Sequence, residues 1–346
     1  MNSLPETFGI LNYPEIGSED WRYTFAASQV RGMETSSLPA SVLNDMANAR
    51  DFKSAAELLS GTHYQVSSGI NNLKELEDVL IARRDYVRGT FEKLCVDNNL
   101  SLYCRTLTDF TNLRLVLRRI VNDKPAGSDY APGGNISAEN FEPIFEQEDF
   151  FELPEHVKLA AENAILAYYE EKDIRRIDNV IDKAIAQYQI DLALKINSVF
   201  LMSLTRLKTD LDNIRTLLRQ KAAETLDEKL FIENGFVDSD LFKHALDLGE
   251  EQFASVFMPT PYERLVEKGV EYYSKHDSFN LLEALCEKHI GAFLEQALLV
   301  TAGEQPLIAW LWKQQQEIRY VRMILTAKRN MLDSGTILER LGNKND

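Results

Sequence analysis

The 346-residue sequence predicts an all-α protein made of three similar helical units, and three observations carry that expectation. Glycine and proline are sparse, at 16 and 10 residues, and gather in a few places, whereas the many turns of a sheet protein would need more of both. Apolar residues recur at steps of three and four, the spacing of a helix face. A block of sequence also returns at a constant offset, the mark of a repeat architecture. With hydrophobic residues at 45% and charged residues at 27%, the composition is that of an ordinary soluble globular protein, and the length suggests two or three structural units.

Taken in order, the opening Met1 to Tyr13 has no basic residue ahead of an apolar run and does not read as a secretory signal. A long helix follows, with Leu73, Leu76, Leu80, Val87, Phe91 and Leu94 on one face over more than five turns, roughly 30 Å. Its other face, Arg83, Arg84, Asp85 and Arg88, reads as solvated. A second helix is expected to begin near Thr108 and Asp109, either of which can cap the free N–H groups, with Leu113, Val116, Leu117 and Ile120 as its stripe. The chain then breaks at Lys124-Pro-Ala-Gly and at Ala131-Pro-Gly-Gly-Asn, where Gly133 and Gly134 permit positive φ. Each unit is thus a helical hairpin with smaller satellites, ending in a glycine bend.

The repeat is read from Asp109-Phe-Thr-Asn112-Leu-Arg114-Leu-Val-Leu117-Arg118, which recurs as Asp210-Leu-Asp-Asn213-Ile-Arg215-Thr-Leu-Leu218-Arg219, an offset of 210 − 109 = 101. Between Leu100 and Arg118, eight of nineteen positions are identical to their partners, where background composition would give about one. Arg105 matches Arg206, Gly134 matches Gly235, and Phe141 matches Phe242. A third, worn copy lays Glu317-Ile-Arg319 on Asn213-Ile-Arg215, with Arg322 falling one residue short of the register of Arg219. The expected division is 1–140 for the N-terminal segment and first copy, 141–250 for the second, and 251–346 for the third.

Several function classes are set aside by composition and motif. A formal charge of −16 and a pI near 4.9 repel nucleic-acid phosphates and anionic lipid headgroups, so neither nucleic acid nor direct lipid insertion is expected. The longest apolar stretches, Ile196–Leu204 and Ile290–Ala302, are too short to span a bilayer, and Glu295 interrupts the second. Cys95, Cys104 and Cys286 are an odd number without a framework spacing, which fits a reducing cytosol. Cys286 and His289 form a lone Cys-x-x-His with no second pair to close a zinc site. The five histidines make no metal-binding helix motif, and no phosphate-binding Gly-x-x-x-x-Gly-Lys loop is present, so no cofactor, metal or catalytic residue is expected. Glu152, Glu155 and His156 flank Pro154 and read as a solvated helix start.

The recurring Asp-x-x-Asn-x-Arg pattern admits two readings. Asp109 and Asp210 can be caps or acids complementing a helix dipole, with the arginines at the surface or between units. Alternatively Asp109, Asn112 and Arg118, with Asp210, Asn213 and Arg219, form a polar seam that fixes the packing of neighbouring units or meets a partner. Neither reading suggests catalysis.

The sequence resembles a known family at three stretches. Tyr23-x-x-Ala26-x-x-x-x-Arg31-x-x-Glu34, with Asp51-Phe52 and Leu58-Leu-Ser-Gly-Thr-His-Tyr64, is similar to the opening of the V/A-type rotary ATPase subunit called C in archaeal and bacterial complexes and d in eukaryotic ones. The paired Asp-x-x-Asn helices and the stretch from Trp310 through Leu341 are similar to the same family, and the likeness covers nearly the whole chain. Gln29-Val-Arg31 stands where a more basic Arg-x-Arg is expected. The resemblance implies a funnel of three units about a pseudo-threefold axis, a cytoplasmic and non-catalytic central-stalk socket. Its partners would be the membrane proteolipid (c/K) ring and the central shaft subunits of D and F type, with torque passing between ATP chemistry and ion transport. On that reading Tyr23, Phe25 and Arg31 are candidates for the ring contact, and Arg114, Arg215 and Arg319 for the shaft. The rival reading is an unrelated helical-repeat scaffold or adaptor.

Overall fold

A computed structural model describes residues 14–34, 37–64, 66, 70, 72–125, 127, 129–147, 149–249 and 252–342. The opening segment read above as carrying no secretory signal lies outside these residues, apart from its successor at 14. About 74% of the chain is helical and no strand occurs among the described residues. The α-helices run α1 (Thr24–Glu34), α2 (Ala40–Asn48), α3 (Phe52–Glu57), α4 (Leu73–Leu94) and α5 (Asn98–Val121). They continue as α6 (Phe141–Glu146), α7 (Glu155–Glu171), α8 (Ile174–Ile196), α9 (Val199–Ala222) and α10 (Ser239–Asp247). The last five are α11 (Phe253–Phe257), α12 (Glu263–His276), α13 (Asn280–Ala297), α14 (Glu304–Arg329) and α15 (Ser334–Arg340). Among the described residues no helix is long and apolar enough to cross a membrane.

Contacts gather the described residues into two units, one of 14–17 with 97–261, the other of 18–96 with 262–342. This grouping follows packing, whereas 1–140, 141–250 and 251–346 follow sequence copies, so the two divisions cut across each other. The Asp-x-x-Asn helices α5 and α9 both lie in the first unit, while α4 of copy one and α12 to α15 of copy three lie with the N-terminal helices in the second.

In the first unit α5 packs on α8, and α7 lies against both. Phe110, Leu113, Val116 and Leu117 of α5 meet Val157, Ala160, Ala161 and Ala164 of α7 and Ile177 and Ile181 of α8. The alanines let the α7 backbone approach closely. Here the expected start of the second helix is corrected: α5 begins at Asn98, capped by Asp97 through the Asn99 N–H. Leu100, Tyr103, Phe110, Leu113 and Leu117 make one buried stripe, so the helical period already runs ten residues before Asp109. Ile120 lies past the stripe and is exposed. The same start recurs in copy two, where Ser198 caps α9 through the Leu201 N–H.

In the second unit α14 is the centre, with α1, α2, α3, α4 and α13 packed on it. Leu76, Leu80, Val87 and Phe91 of α4 are buried as their spacing implies, while Leu73 at the first turn is exposed. The expectation that Arg83 is solvated is overturned: its side chain is 7% exposed, donates to Gln314 Oε1 and faces the Tyr64 ring. A position beside the apolar stripe becomes interior when helices pack on both flanks, which no single-helix pattern reveals.

Candidate functional site

The most organised polar structure in the chain is the repeated motif, and it does not cap helices. Asp109 is fully buried in the middle of α5, and its carboxylate accepts from Ile136 N at 3.0 Å, Asn135 N at 3.0 Å and Asn135 Nδ2 at 2.8 Å. In copy two Asp210, equally buried within α9, accepts from Val237 N and Phe236 N, both at 3.1 Å. Asn112 exchanges two bonds with the Ala131 backbone at 2.9 and 2.8 Å, and Asn213 does so with Ile232 at 2.8 and 2.8 Å. Every partner sits 101 residues from its counterpart, as 232 − 131, 236 − 135 and 237 − 136 show. Each motif therefore fastens its long helix to the loop that leads into the next short helix. Burial pushes the Asp109 carboxyl above the usual carboxylate range, and its three N–H donors oppose that shift.

The glycines belong to the same device. A Cβ on Gly134 would lie 2.1 Å from Asp109 Oδ1, and one on Gly235 would lie 2.0 Å from Asp210 Oδ1. Gly134 is thus required by close approach, and only Gly133, at φ 91°, uses the positive φ expected of this pair. Arg206 also donates to the Gly235 carbonyl at 2.7 and 3.1 Å.

The third copy works by the same logic with a different segment. Laying Glu317 on Asn213 sets an offset of 104, which places Gln314 on Asp210. Both are buried in α14. Glu317 accepts from Leu38 N at 2.7 Å through Oε2 and from Tyr64 Oη at 3.0 Å through Oε1, and His63 Nε2 lies 2.8 Å from the same Oε1. Gln314 donates to Ser37 Oγ at 3.0 Å. Thus α14 holds the segment leading into α2, as α5 and α9 hold those leading into α6 and α10, but that segment comes from near the start of the chain. Burial, reinforced by the Glu317 charge, pushes the Tyr64 hydroxyl well above its usual range, so it remains a donor.

A second correspondence joins copies to one another. Arg118 of α5 pairs with Asp178 of α8, and Arg322 of α14 pairs with Glu77 of α4. The two acids are again 178 − 77 = 101 residues apart. Arg322, one residue out of register in the sequence, reaches the equivalent acid. The packing of α14 on α4 thereby reproduces that of α5 on α8.

The remaining sequence candidates are dispersed. Arg114 pairs with Asp178 at 3.3 Å and also with Asp182, Arg215 pairs with Asp212 at 2.8 Å, and Arg319 lies 3.4 Å from Glu287. Arg219 is exposed on α9. In the N-terminal stretch Tyr23 is 2% exposed and belongs to the core, while Phe25 is 70% and Trp21 65% exposed. Arg31 donates to the Val300 carbonyl at 2.9 Å, tying α1 to the turn before α14. Sequence reasoning missed Trp21, and missed Gln314 although the 104-residue offset points to it. His63, Tyr64 and Arg83 were beyond the repeat pattern, because they enter from outside the third copy.

Among the described residues no group of three or more His, Cys, Asp or Glu side chains could hold a metal ion. Cys286 is fully buried, and burial lowers the His289 pKa. The solvated reading of His156 is corrected, since it is stacked 3.6 Å from the Tyr188 ring. Burial, with Lys195 nearby, lowers its pKa to about 4.

These features define a helical-repeat protein whose buried polar groups fasten its long helices to the segments that lead into short ones. The chain belongs to the ATP synthase (C/AC39) subunit family, whose sequence profile matches residues 26–340. That family is an accessory rather than the catalytic subunit of V/A-type rotary ATPases. None of the curated proteins compared with the chain matches it.

Proposed function

We propose that this chain is the non-catalytic socket of a V/A-type rotary ATPase, seated in the cytoplasm between the membrane proteolipid ring and the foot of the D- and F-type shaft. The observation that carries this reading is the joint used twice, between copies one and two and between copy three and the start of copy one. A chain whose last copy grips its first by the joint that links successive copies suits closure about a pseudo-threefold axis. A closed funnel is suited to torque, because slipping would break all joints together rather than one. The shaft would enter its opening and the ring would lie under its wide end.

The exposed Trp21, in the turn before α1, and Phe25, with Arg31 on α1 itself, are the ring contact in this reading. Large exposed aromatics supply apolar area at small conformational cost, which suits a proteolipid partner. Arg114, Arg215 and Arg319 are already paired within the chain, so their contribution to a shaft contact would come by exchanging partners. The formal charge of −16 favours basic surfaces on the shaft.

Co-purification tests the assignment. Tagged chain recovered from gently solubilised membranes should bring the proteolipid and both shaft subunits, and the Trp21→Asp/Phe25→Asp double variant should lose the proteolipid while keeping the shaft. Recovery of neither partner from membranes with an intact ATPase would overturn the reading.

A further inference from the structure

Between α4 and α14 in the second unit lies a cavity of about 680 Å³, within the range of small-molecule sites. Its walls carry the rings of Tyr64, Tyr86, Trp310 and His63, with Arg83 and Gln314 among them. The guanidinium of Arg83 is unusual here. It is 7% exposed, gives one N–H to Gln314 and lies 5.9 and 5.3 Å from the Tyr64 and Tyr86 ring centroids, yet its buried Nε has no hydrogen-bond partner among the described residues. A guanidinium offers five donors, and leaving a buried one unmet costs free energy on the order of 1–3 kcal/mol.

The neighbouring carboxylate does not meet that need. Both oxygens of Glu317 are engaged, by His63, Tyr64 and Leu38, and none of those bonds comes from Arg83. Nor does the repeated joint require a cation at this place. In the joint of α5 with α8 the equivalent of Arg83 is position 83 + 101 = 184, an alanine. The equivalent of Trp310 on α5 is 310 − 205 = 105, an arginine. The joint of α14 with α4 has therefore lost the arginine on the paired helix, gained an indole there, and gained a buried cation across from it. These departures coincide at one cavity.

We propose that this cavity binds a small organic monocarboxylate with a flat apolar body. The carboxylate pairs with the guanidinium of Arg83 where that side chain lines the cavity, and the body lies among Trp310, Tyr64 and Tyr86. The class follows from the walls: aromatic rings favour a planar apolar group, and Arg83 supplies the donors for one anionic head. Asp78 on the rim and Glu317 behind the site oppose a second negative charge, which disfavours phosphates and dicarboxylates. A ligand seated there touches both α4 and α14, and so fastens the start of the chain to its last long helix. This inference does not depend on the rotary-ATPase reading.

Calorimetric titration of the full chain tests it, with indole-3-acetate as probe and tryptamine and inorganic phosphate as controls. Saturable binding of indole-3-acetate is expected, with a rise in melting temperature and no binding of either control. Arg83→Gln should weaken binding by about tenfold or more. Because that change alters a buried group, Ala82→Trp, which fills the cavity from an exposed wall position, serves as the second variant and should abolish binding while the protein stays folded. No saturable binding up to about 10 mM probe, binding unchanged in both variants, or equal binding of phosphate would each overturn the proposal.

Discussion

Asp210 and Gly235 form the tightest pair in the repeat, and their coupling can be measured. Asp210→Ala leaves the N–H groups of Phe236 and Val237 buried without an acceptor, at about 1–3 kcal/mol each. Gly235→Ala alone drives a methyl group against the carboxylate, a clash of the kind that costs about 1–3 kcal/mol. In the double variant the clash is gone, so the summed loss should fall short of the two single losses by about 1 kcal/mol or more, measured by denaturant unfolding. Strict additivity would mean that the glycine is there for another reason. At this scale the sequence was informative about which residues matter and silent about what they do. Asp, Asn and Gly could be seen to recur together, but the 26-residue reach from Asp109 to Asn135 is a tertiary contact that no local spacing encodes.

At the scale of helices, the core face of α4 was legible from Leu76, Leu80, Val87 and Phe91, whereas the burial of Arg83 on its flank was not. The start of α5 was misplaced by ten residues. Thr108 and Asp109 look like a cap, and that local resemblance outweighed the continuing stripe at Leu100 and Tyr103. The joint of α14 with α4 was not legible, since it pairs residues 322 − 77 = 245 apart. Its ion pair is half exposed at both ends, with side chains 41% and 44% accessible, so its contribution to stability is modest. Arg322→Glu should lower stability by about 1 kcal/mol or less, and adding Glu77→Arg should restore most of that loss. The same swap at Arg118 and Asp178 should recover less, because Asp178 also pairs with Arg114 and its reversal sets two arginines together. Failure of the reversed pair to recover any stability would show that the two joints are not equivalent.

For the molecule as a whole, the proposed closure makes a geometric prediction that an open stack does not. Spin labels placed pairwise at Arg118, Arg219 and Arg322, after replacement of Cys95, Cys104 and Cys286, should give three similar distances. An open array would give two short distances and one much longer, because its first and third copies are not neighbours. The composition, the two clear copies and the resemblance in Tyr23 through Tyr64 were enough to indicate the family. They could not indicate how the worn third copy is completed, because its partners lie at the opposite end of the chain.

Coupling itself is the most direct test of the socket. In membranes depleted of this chain, ATP hydrolysis by the catalytic head should persist while ATP-driven ion transport is lost, and adding the purified chain back should restore transport. Transport that continues undiminished without the chain would contradict the account.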